Sequence, residues 1–517
     1  MSRQRGCLTT LVITVSAVFV LLVGLVVAGG ALVWSHASTD TTGEVSFTHA
    51  LGIPPLAQSH RDAQGRRVFD LTAREGSTDL GGERPTATWG YNGGYLGPTL
   101  RAERGEEVLV HVHNELPETT TLHWHGMHLP ARMDGGPHQP IEPGTGWSPT
   151  WRIDQPAGTL WYHPHPHGQT EEQVTRGLAG MFILDDRRSE ELPLPDEYGV
   201  DDVPVIVQDK SIDADGELDV DELGDTVVVN GTVAPHLDVT TERVRLRLLN
   251  ASNKRVYDFG LDDDSPFTLI GTDGGLLPRS KELSRIQLAP GERADVVVTM
   301  EPGERRVLRS YPPDLGVNPI SGRFAGGADT LDVLQLRAAD RLQPSPAVPD
   351  VLAPGNLDEV GSAADSDRTR TFELSGRQIN GRKMDMSRID EVVRVGDTET
   401  WEVTNTGGEP HSFHVHDVQF RVLSVDGAPP PPELSGLKDT VYLPDGVTFR
   451  LLLHFTDYAD PDWAYMYHCH MLRHEDHGMM GQFVVVRPGQ EVDGASGAGM
   501  PGRHDDHDAM PAMPGHG

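Results

Sequence analysis

The chain has 517 residues, a length that suggests about three domains, each large enough to bury a core of its own. Hydrophobic residues make up 37% and charged residues 23%, and 57 glycines with 39 prolines supply many turns, as in a folded, turn-rich protein. With 43 basic against 77 acidic residues the net charge is -34, which argues against nucleic acid as a partner because a polyphosphate would be repelled; two cysteines cannot build a disulfide framework.

Arg3 and Arg5 precede an apolar run from Leu8 to Trp34, long enough as a helix at ~1.5 Å per residue to cross a bilayer. The run exceeds the ~7–15 residue apolar core of a cleavable signal, so residues 1–40 are expected to form a retained transmembrane anchor. Cleavage after Ser35-His36-Ala37, giving a secreted protein, is the alternative. With the arginines inside, the remaining chain faces the outside of the cytoplasmic membrane, at the cell surface or in a periplasm. No twin arginine precedes the run, which favours export as an unfolded chain.

Beyond the anchor, period-2 alternation bounded by Gly and Pro dominates, as in Glu106–His113, Arg243–Leu248 and Thr400–Thr404. No long stretch carries a helical stripe, so the predicted class is all-β, built of sandwiches. Residues 45–190, 195–342 and 369–490 are expected to form three such domains, joined by a linker over 343–368 rich in Pro, Ala, Ser and Asp. A tail over 491–517, rich in Gly, Pro, Met, His and Asp, is expected to be disordered.

Three segments repeat. Val110-His111-Val112-His113-Asn114 is followed, nine residues after the Asn, by His123-Trp124-His125, and Trp401-Glu402-Val403-Thr404-Asn405 is followed at the same spacing by His414-Val415-His416. Leu246-Arg247-Leu248-Leu249-Asn250 leads instead into Tyr257-Asp258-Phe259, without histidine. A second element also recurs: Tyr162-His163-Pro164-His165 with Gly177, Gly180 and Phe182, and Tyr467-His468-Cys469-His470 with Gly478, Gly481 and Phe483. The chain thus reads as three copies of one β unit, of which the first and third carry ligands.

Residues i and i+2 of a strand share a face with Cα atoms about 6–7 Å apart, so a His-X-His pair suits two neighbouring metals better than chelation of one. Four pairs occur at matched repeat positions, His123/His125, His163/His165, His414/His416 and His468/His470, and they can converge only at an interface between the first and third units. Cys469 points to the opposite strand face from its two neighbours. His474 lies five residues and Met479 ten residues after it, and with His411 they complete a His₂Cys set with a weak axial Met, the preference of a blue-copper electron-transfer site. A structural zinc site would use a closed tetrahedral shell, usually with more than one thiolate. The backbone joining Cys469 to His468 and His470 offers an electron a short covalent route.

The patterns His123–Gly126, His163–His165, His411–His416 and His468–Met479 resemble the four signatures of multicopper oxidases over roughly residues 45–490. The resemblance implies three cupredoxin-like Greek-key sandwich domains holding four copper ions: one type 1, one type 2 and two type 3. It implies that His411, Cys469, His474 and Met479 bind type 1 copper, that His123 and His414 bind type 2, and that His125, His163, His165, His416, His468 and His470 bind the type 3 pair. No ligand position is missing. Asp134 and Glu475 match acidic positions that relay protons in similar bacterial members; a turn-forming role for Asp134 and a hydrogen-bonding role for Glu475 beside the ligands are the alternatives. By the same resemblance Asp439 is expected near the type 1 site. His111, His113, His128, His138, His167 and His477 occupy non-ligand positions.

The expected reaction couples four one-electron oxidations of small reductants to reduction of O2 to two waters, by a protein that is expected to be monomeric. Cu(I) oxidases of copper tolerance share the signatures, but their methionine-rich insertion is not apparent here: Met384 and Met386 are isolated, and Glu409-Pro410 precedes His411. That favours laccase-like activity on phenols, aromatic amines or bilirubin-like compounds. A metal oxidase acting on Cu(I), Fe(II) or Mn(II) is the first alternative. A copper-sequestering protein using Met500, His504, His507, Met510, Met513 and His516 as collectors is the second.

Overall fold

The computed structural model describes residues 37–220 and 223–490, with Gly24, Gly29, Gly30 and Val33–Ser35. Most of the expected anchor over 1–40 lies outside the described residues, and the Met/His tail entirely so. Among the described residues no helix is long and apolar enough to cross a membrane. The protein is all-β with a few short helices, as the alternation predicts.

In the first unit a four-stranded sheet runs in the order Leu100–Glu103, Gly180–Asp185, Gly158–His163, His123–His125 and faces a six-stranded sheet centred on Arg67–Thr78 and Glu107–Asn114. Alternation along Glu107–Asn114 buries Val108, Val110 and Val112 and turns His111 and His113 outward, where His111 Nδ1 meets Ser148 Oγ at 2.9 Å. The third unit repeats the plan, with a six-stranded sheet around Thr398–Asn405 and a five-stranded sheet ordered Glu391–Arg394, Met480–Val486, Asp460–His468, His411–Val415, Thr440–Leu443. The middle unit has eight and six strands, and the short strand His49–Ala50 adds in parallel to its Pro235–Thr241. Within residues 343–368 the chain hugs this unit: Leu352 and Ala353 are buried and donate backbone bonds to Pro278 O and Leu277 O.

The recurring asparagine explains the repeat. Asn114, Asn250 and Asn405 are buried at the ends of strands paired in parallel with Arg67–Thr78, Asp202–Ile212 and Arg368–Ser375. Each accepts from the backbone N–H two residues on, at Leu116, Ser252 and Gly407. Each also donates to two carbonyls, those of Glu118 and Ile141, of Arg255 and Leu288, and of Glu409 and Leu443. The side chain thereby substitutes for strand pairing where the chain turns toward the next strand, which in two units carries the histidines. The recurring glycines make room for tyrosines: a Cβ at Gly180 or Gly481 would lie within 2.3 Å of Tyr162 or Tyr467 atoms, the residues directly opposite them.

Each unit has its own apolar core, with Phe69, Trp124 and Phe182 in the first, Val205, Phe259 and Leu334 in the middle, and Trp401, Phe413 and Phe483 in the third. The third core is continuous with Ala131, Val256, Ala289 and Leu315 from its neighbours, so the units are fused along a seam. Replacing Asn405 by Ala leaves two carbonyls and one N–H unpaired in this interior and is expected to cost about 3 kcal/mol, measurable as a lowered midpoint in urea.

Candidate metal centre

Strand register gathers the histidines. His123 lies directly across from His163 in the first unit and His414 across from His468 in the third. His165, His416 and His470 lie just past the ends of their strands. All eight rings are buried, and rings of the two units interleave: His123 stacks on His416 with centroids 3.9 Å apart, and His125 on His414 at 3.7 Å. His165 Nε2 and His416 Nε2 approach His468 Nε2 at 3.1 and 3.2 Å, and His125 Nδ1 lies 3.4 Å from His163 Nε2. Trp161 stacks on His163 and closes one side.

Cys469 follows the strand Asp460–His468, and its Sγ lies 3.6 Å from both His411 Nδ1 and His474 Nδ1, which are 3.0 Å apart. His474 comes from the short helix Leu472–Asp476. Met479 is buried in the same core cluster; its N–H donates to His474 O and its carbonyl accepts from Cys469 N–H, closing the loop around the thiol. All the residues named as ligands from sequence are therefore buried or half-buried in two adjacent groups, joined through the backbone of His468-Cys469-His470.

Burial, reinforced by neighbouring imidazoles, pushes His125, His163, His414, His416, His470 and His474 well below the usual histidine range. Burial likewise takes His165 and His411 to about 4 and His468 to about 3. Ring nitrogens in the cluster also lack partners within the protein: Nε2 of His123, His414 and His470 is buried without a hydrogen-bond partner. Lone pairs facing one another at hydrogen-bond distance in a dry interior leave a deficit that a cation fills. Burial raises the Cys469 thiol to about 11 in the metal-free chain, a cost that only binding of a cation to the thiolate offsets. Groups of donor atoms within 4.8 Å of one another include His165/His416/His468, His123/His125/His163, His123/His414/His416 and His411/Cys469/His474. Imidazole with soft sulfur suits copper, so the donor set fits that metal.

Asp134 is buried beneath the cluster: its Oδ2 accepts from His416 Nδ1 at 2.8 Å and its backbone carbonyl accepts from His123 Nδ1 at 3.0 Å. Gly135, at φ +77°, turns the chain so close to Leu122 that no side chain fits. Glu475 has its carboxylate oxygens 3.4 Å from His165 Nδ1 and 3.1 Å from His468 Nδ1, and burial raises its carboxyl above the usual range. Asp439 corrects an expectation. It lies at the far group, with Oδ1 3.0 Å from His125 Nε2 and its backbone carbonyl accepting from His414 Nδ1, rather than beside Cys469.

Sequence reasoning missed the charged residues that the middle unit sends to the seam. Arg293 pairs with Asp439, and Lys438 with Asp273 and Glu292, all buried. No periodicity marks them, since they contact the site only through tertiary packing. Among the histidines read as non-ligands, His128 bridges Asp417 and Asp457 at 2.8 and 2.9 Å, His138 Nε2 bonds Gln482 at 2.8 Å, and His477 Nδ1 meets Arg473 O at 2.6 Å.

Neutral, converging imidazoles beside a Cys-centred site, on sandwiches joined at a seam, define a multinuclear copper protein of cupredoxin-like architecture. Multicopper oxidase family models match residues 72–189, 193–307 and 353–489. Similar proteins include a multicopper oxidase of Staphylococcus epidermidis, 36% identical with 84% of this chain and 92% of that protein covered. The cell division protein FtsP of Escherichia coli K12 is 37% identical over the same shares. The laccase of Pediococcus acidilactici superimposes with a TM-score of 0.76 at 36% identity, covering 84% of this chain and 93% of that one. The chain belongs to the multicopper oxidase family and is a copper-dependent oxidoreductase.

Asp417 and Asp457 oppose the burial that would discharge His128 and lift it to about 10. Because this lies above the unfolded value of about 6.5, its contribution to stability is complete below that pH and fades as pH rises through about 10. The deficit in melting temperature of His128→Gln relative to the parent is therefore expected to be largest near pH 6 and to shrink toward pH 10.

Proposed function

We propose that the protein is a laccase-like oxidase that takes four electrons singly from small reductants and delivers them to O2, which with four protons becomes two waters. The carrying observation is the placement of Cys469, 3.6 Å from His411 and His474 Nδ1 and bonded through the chain to His468 and His470 of the eight-imidazole cluster. In this reading His411, Cys469, His474 and Met479 hold one copper. His123 and His414 hold a second, His165, His416 and His468 a third, and His125, His163 and His470 a fourth. Copper, when bound, supplies reversible one-electron storage at the thiolate site and a multi-electron centre for O2.

The protein's own groups do the rest. His474 is the half-buried member of the thiolate site and gives a reductant its nearest approach, whereas the eight rings of the cluster are fully buried, so donor and O2 meet different, adjacent groups of side chains. Asp134, bonded to His416 Nδ1, and Glu475, beside His165 and His468, are the carboxyls placed to hand protons toward the cluster. The absence of methionines next to His411 supports phenols and aromatic amines over Cu(I) as donors. Membrane tethering outside the cytoplasm is supported by the apolar run and by the surface where it ends. Val33, Trp34, Ile320 and Phe324 are all exposed, and the Arg323 guanidinium stacks over Trp34 and donates to its carbonyl at 2.9 Å.

Oxygen-electrode assays of copper-loaded protein with a phenol and with Cu(I) test the reading: uptake with the phenol is expected, uptake with Cu(I) alone identifies a metal oxidase, and copper binding without uptake identifies sequestration. Cys469→Ser is expected to abolish the blue Cu–thiolate absorption while the remaining copper keeps its EPR signal. Replacing His468 by Gln is expected to leave the blue colour and lower O2 consumption at least about 100-fold, because one of the imidazoles facing O2 is lost while the thiolate site keeps its ligands. A colourless, fully copper-loaded parent protein overturns the assignment.

A further inference from the structure

We propose that Arg293, contributed by the unit that holds no ligand, is a positioning residue of the metal centre: it locks Asp439 in place so that Asp439 holds the His125 proton on Nε2 and leaves Nδ1 free for metal. The inference rests on the oxidase reading for the identity of that metal.

His125 is reversed relative to its neighbours. His123, His163, His414 and His416 each turn Nδ1 to an oxygen of the protein, of Asp134, Pro164, Asp439 and Asp134 respectively, and keep Nε2 for the cluster. His125 instead turns Nδ1 inward, 3.4 Å from His163 Nε2, and points Nε2 at Asp439 Oδ1 at 3.0 Å and Thr440 Oγ1 at 3.2 Å. The Thr440 hydroxyl already donates to Asp439 Oδ1 at 2.9 Å. Asp439 Oδ1 accepts from Thr440 and from Arg293 and so acts as an acceptor toward His125 too, which puts the hydrogen on His125 Nε2 and the lone pair on Nδ1.

Asp439 is fully buried, and the guanidinium that opposes the effect of burial on its carboxyl comes from the middle unit. Arg293 Nη1 and Nη2 grip Oδ1 and Oδ2 at 2.7 and 2.6 Å. The other three guanidinium hydrogens go to Thr159 O at 2.9 Å, Gly291 O at 2.9 Å and Asp273 O at 3.1 Å. With all five donors used, the fork cannot turn and the carboxylate cannot drift. Two glycines are shaped to this contact. A Cβ on Gly126, which follows His125 at φ +84°, would lie 2.5 Å from Asp439 Oδ2 and 2.6 Å from Arg293 Nη2. A Cβ on Gly291, in the same turn as Arg293, would press to 3.1 Å against the His470 ring. The middle unit thus reaches two of the three rings assigned to one copper, although it carries no ligand.

The test uses the full chain with Arg293→Gln, Arg293→Lys and Asp439→Asn. Blue Cu–thiolate absorption reports an intact Cys469 site and serves as the folding control. Arg293→Gln is expected to keep that colour while copper affinity at the eight-histidine cluster falls about 10-fold or more, with a lowered ratio of total copper to blue absorption. Arg293→Lys, which restores the charge but not the fork, is expected to recover part of the ratio. In metal-free protein, ¹⁵N NMR of labelled histidine is expected to find the His125 proton on Nε2 in the parent and redistributed toward Nδ1 in Arg293→Gln and in Asp439→Asn. A parental copper ratio with an unmoved proton in either variant overturns the proposal. Because the tautomer is read without metal, a parent protein that fails to consume O2 refutes the oxidase reading while the clamp is still decided.

Discussion

Stacking of imidazoles across the seam, His123 on His416 and His125 on His414, is the contact on which the rest of the protein depends. It brings ring nitrogens of two sandwiches within hydrogen-bond distance of one another, as at His165 Nε2 and His468 Nε2, an arrangement of lone pairs in a dry interior that a cation stabilises. The apolar cores on either side keep that interior dry. The metal centre is therefore also part of what joins the first unit to the third, and metal binding and assembly of the seam draw on the same free energy.

Other contacts hold the two faces in register. Asp476 of the third unit accepts from the N–H groups of Thr170 and Glu171 at the start of a first-unit helix, and Tyr465 donates its hydroxyl hydrogen to Leu129 O at 2.7 Å. His128 adds a charged bridge to Asp417. These bonds lie around the cluster, so the eight rings are positioned from several directions while His474, on the short helix that follows Cys469, stays half-buried.

The middle unit shows how a repeat that carries no ligands stays essential to a site. It keeps the asparagine-anchored turn of its siblings, with Asn250 bonding as Asn114 and Asn405 do, but the strand that follows holds no histidine and has Tyr257 and Phe259, which stack in its own core. Its contribution is made from a different turn, through Gly291 and Arg293, by packing and charge rather than by coordination.

Alternation was enough to foretell an all-β chain of sandwiches, and the spacing from asparagine to histidine pointed to the histidines and Cys469 that the structure brings together, because strand periodicity and ligand chemistry are both local properties of a chain. Asp439 was legible as a residue of interest but not in its place, since its position depends on Arg293, distant in sequence. Arg293 itself carried no signal: an arginine beginning a strand reads as a surface residue until the fold surrounds it with Thr159, Asp273 and Asp439. The sequence by itself determined which side chains are candidates to bind; only the tertiary structure decided which nitrogen each ring presents, because that choice is made by acceptors the fold sets beside each ring, and for His125 and His416 the acceptor comes from another unit.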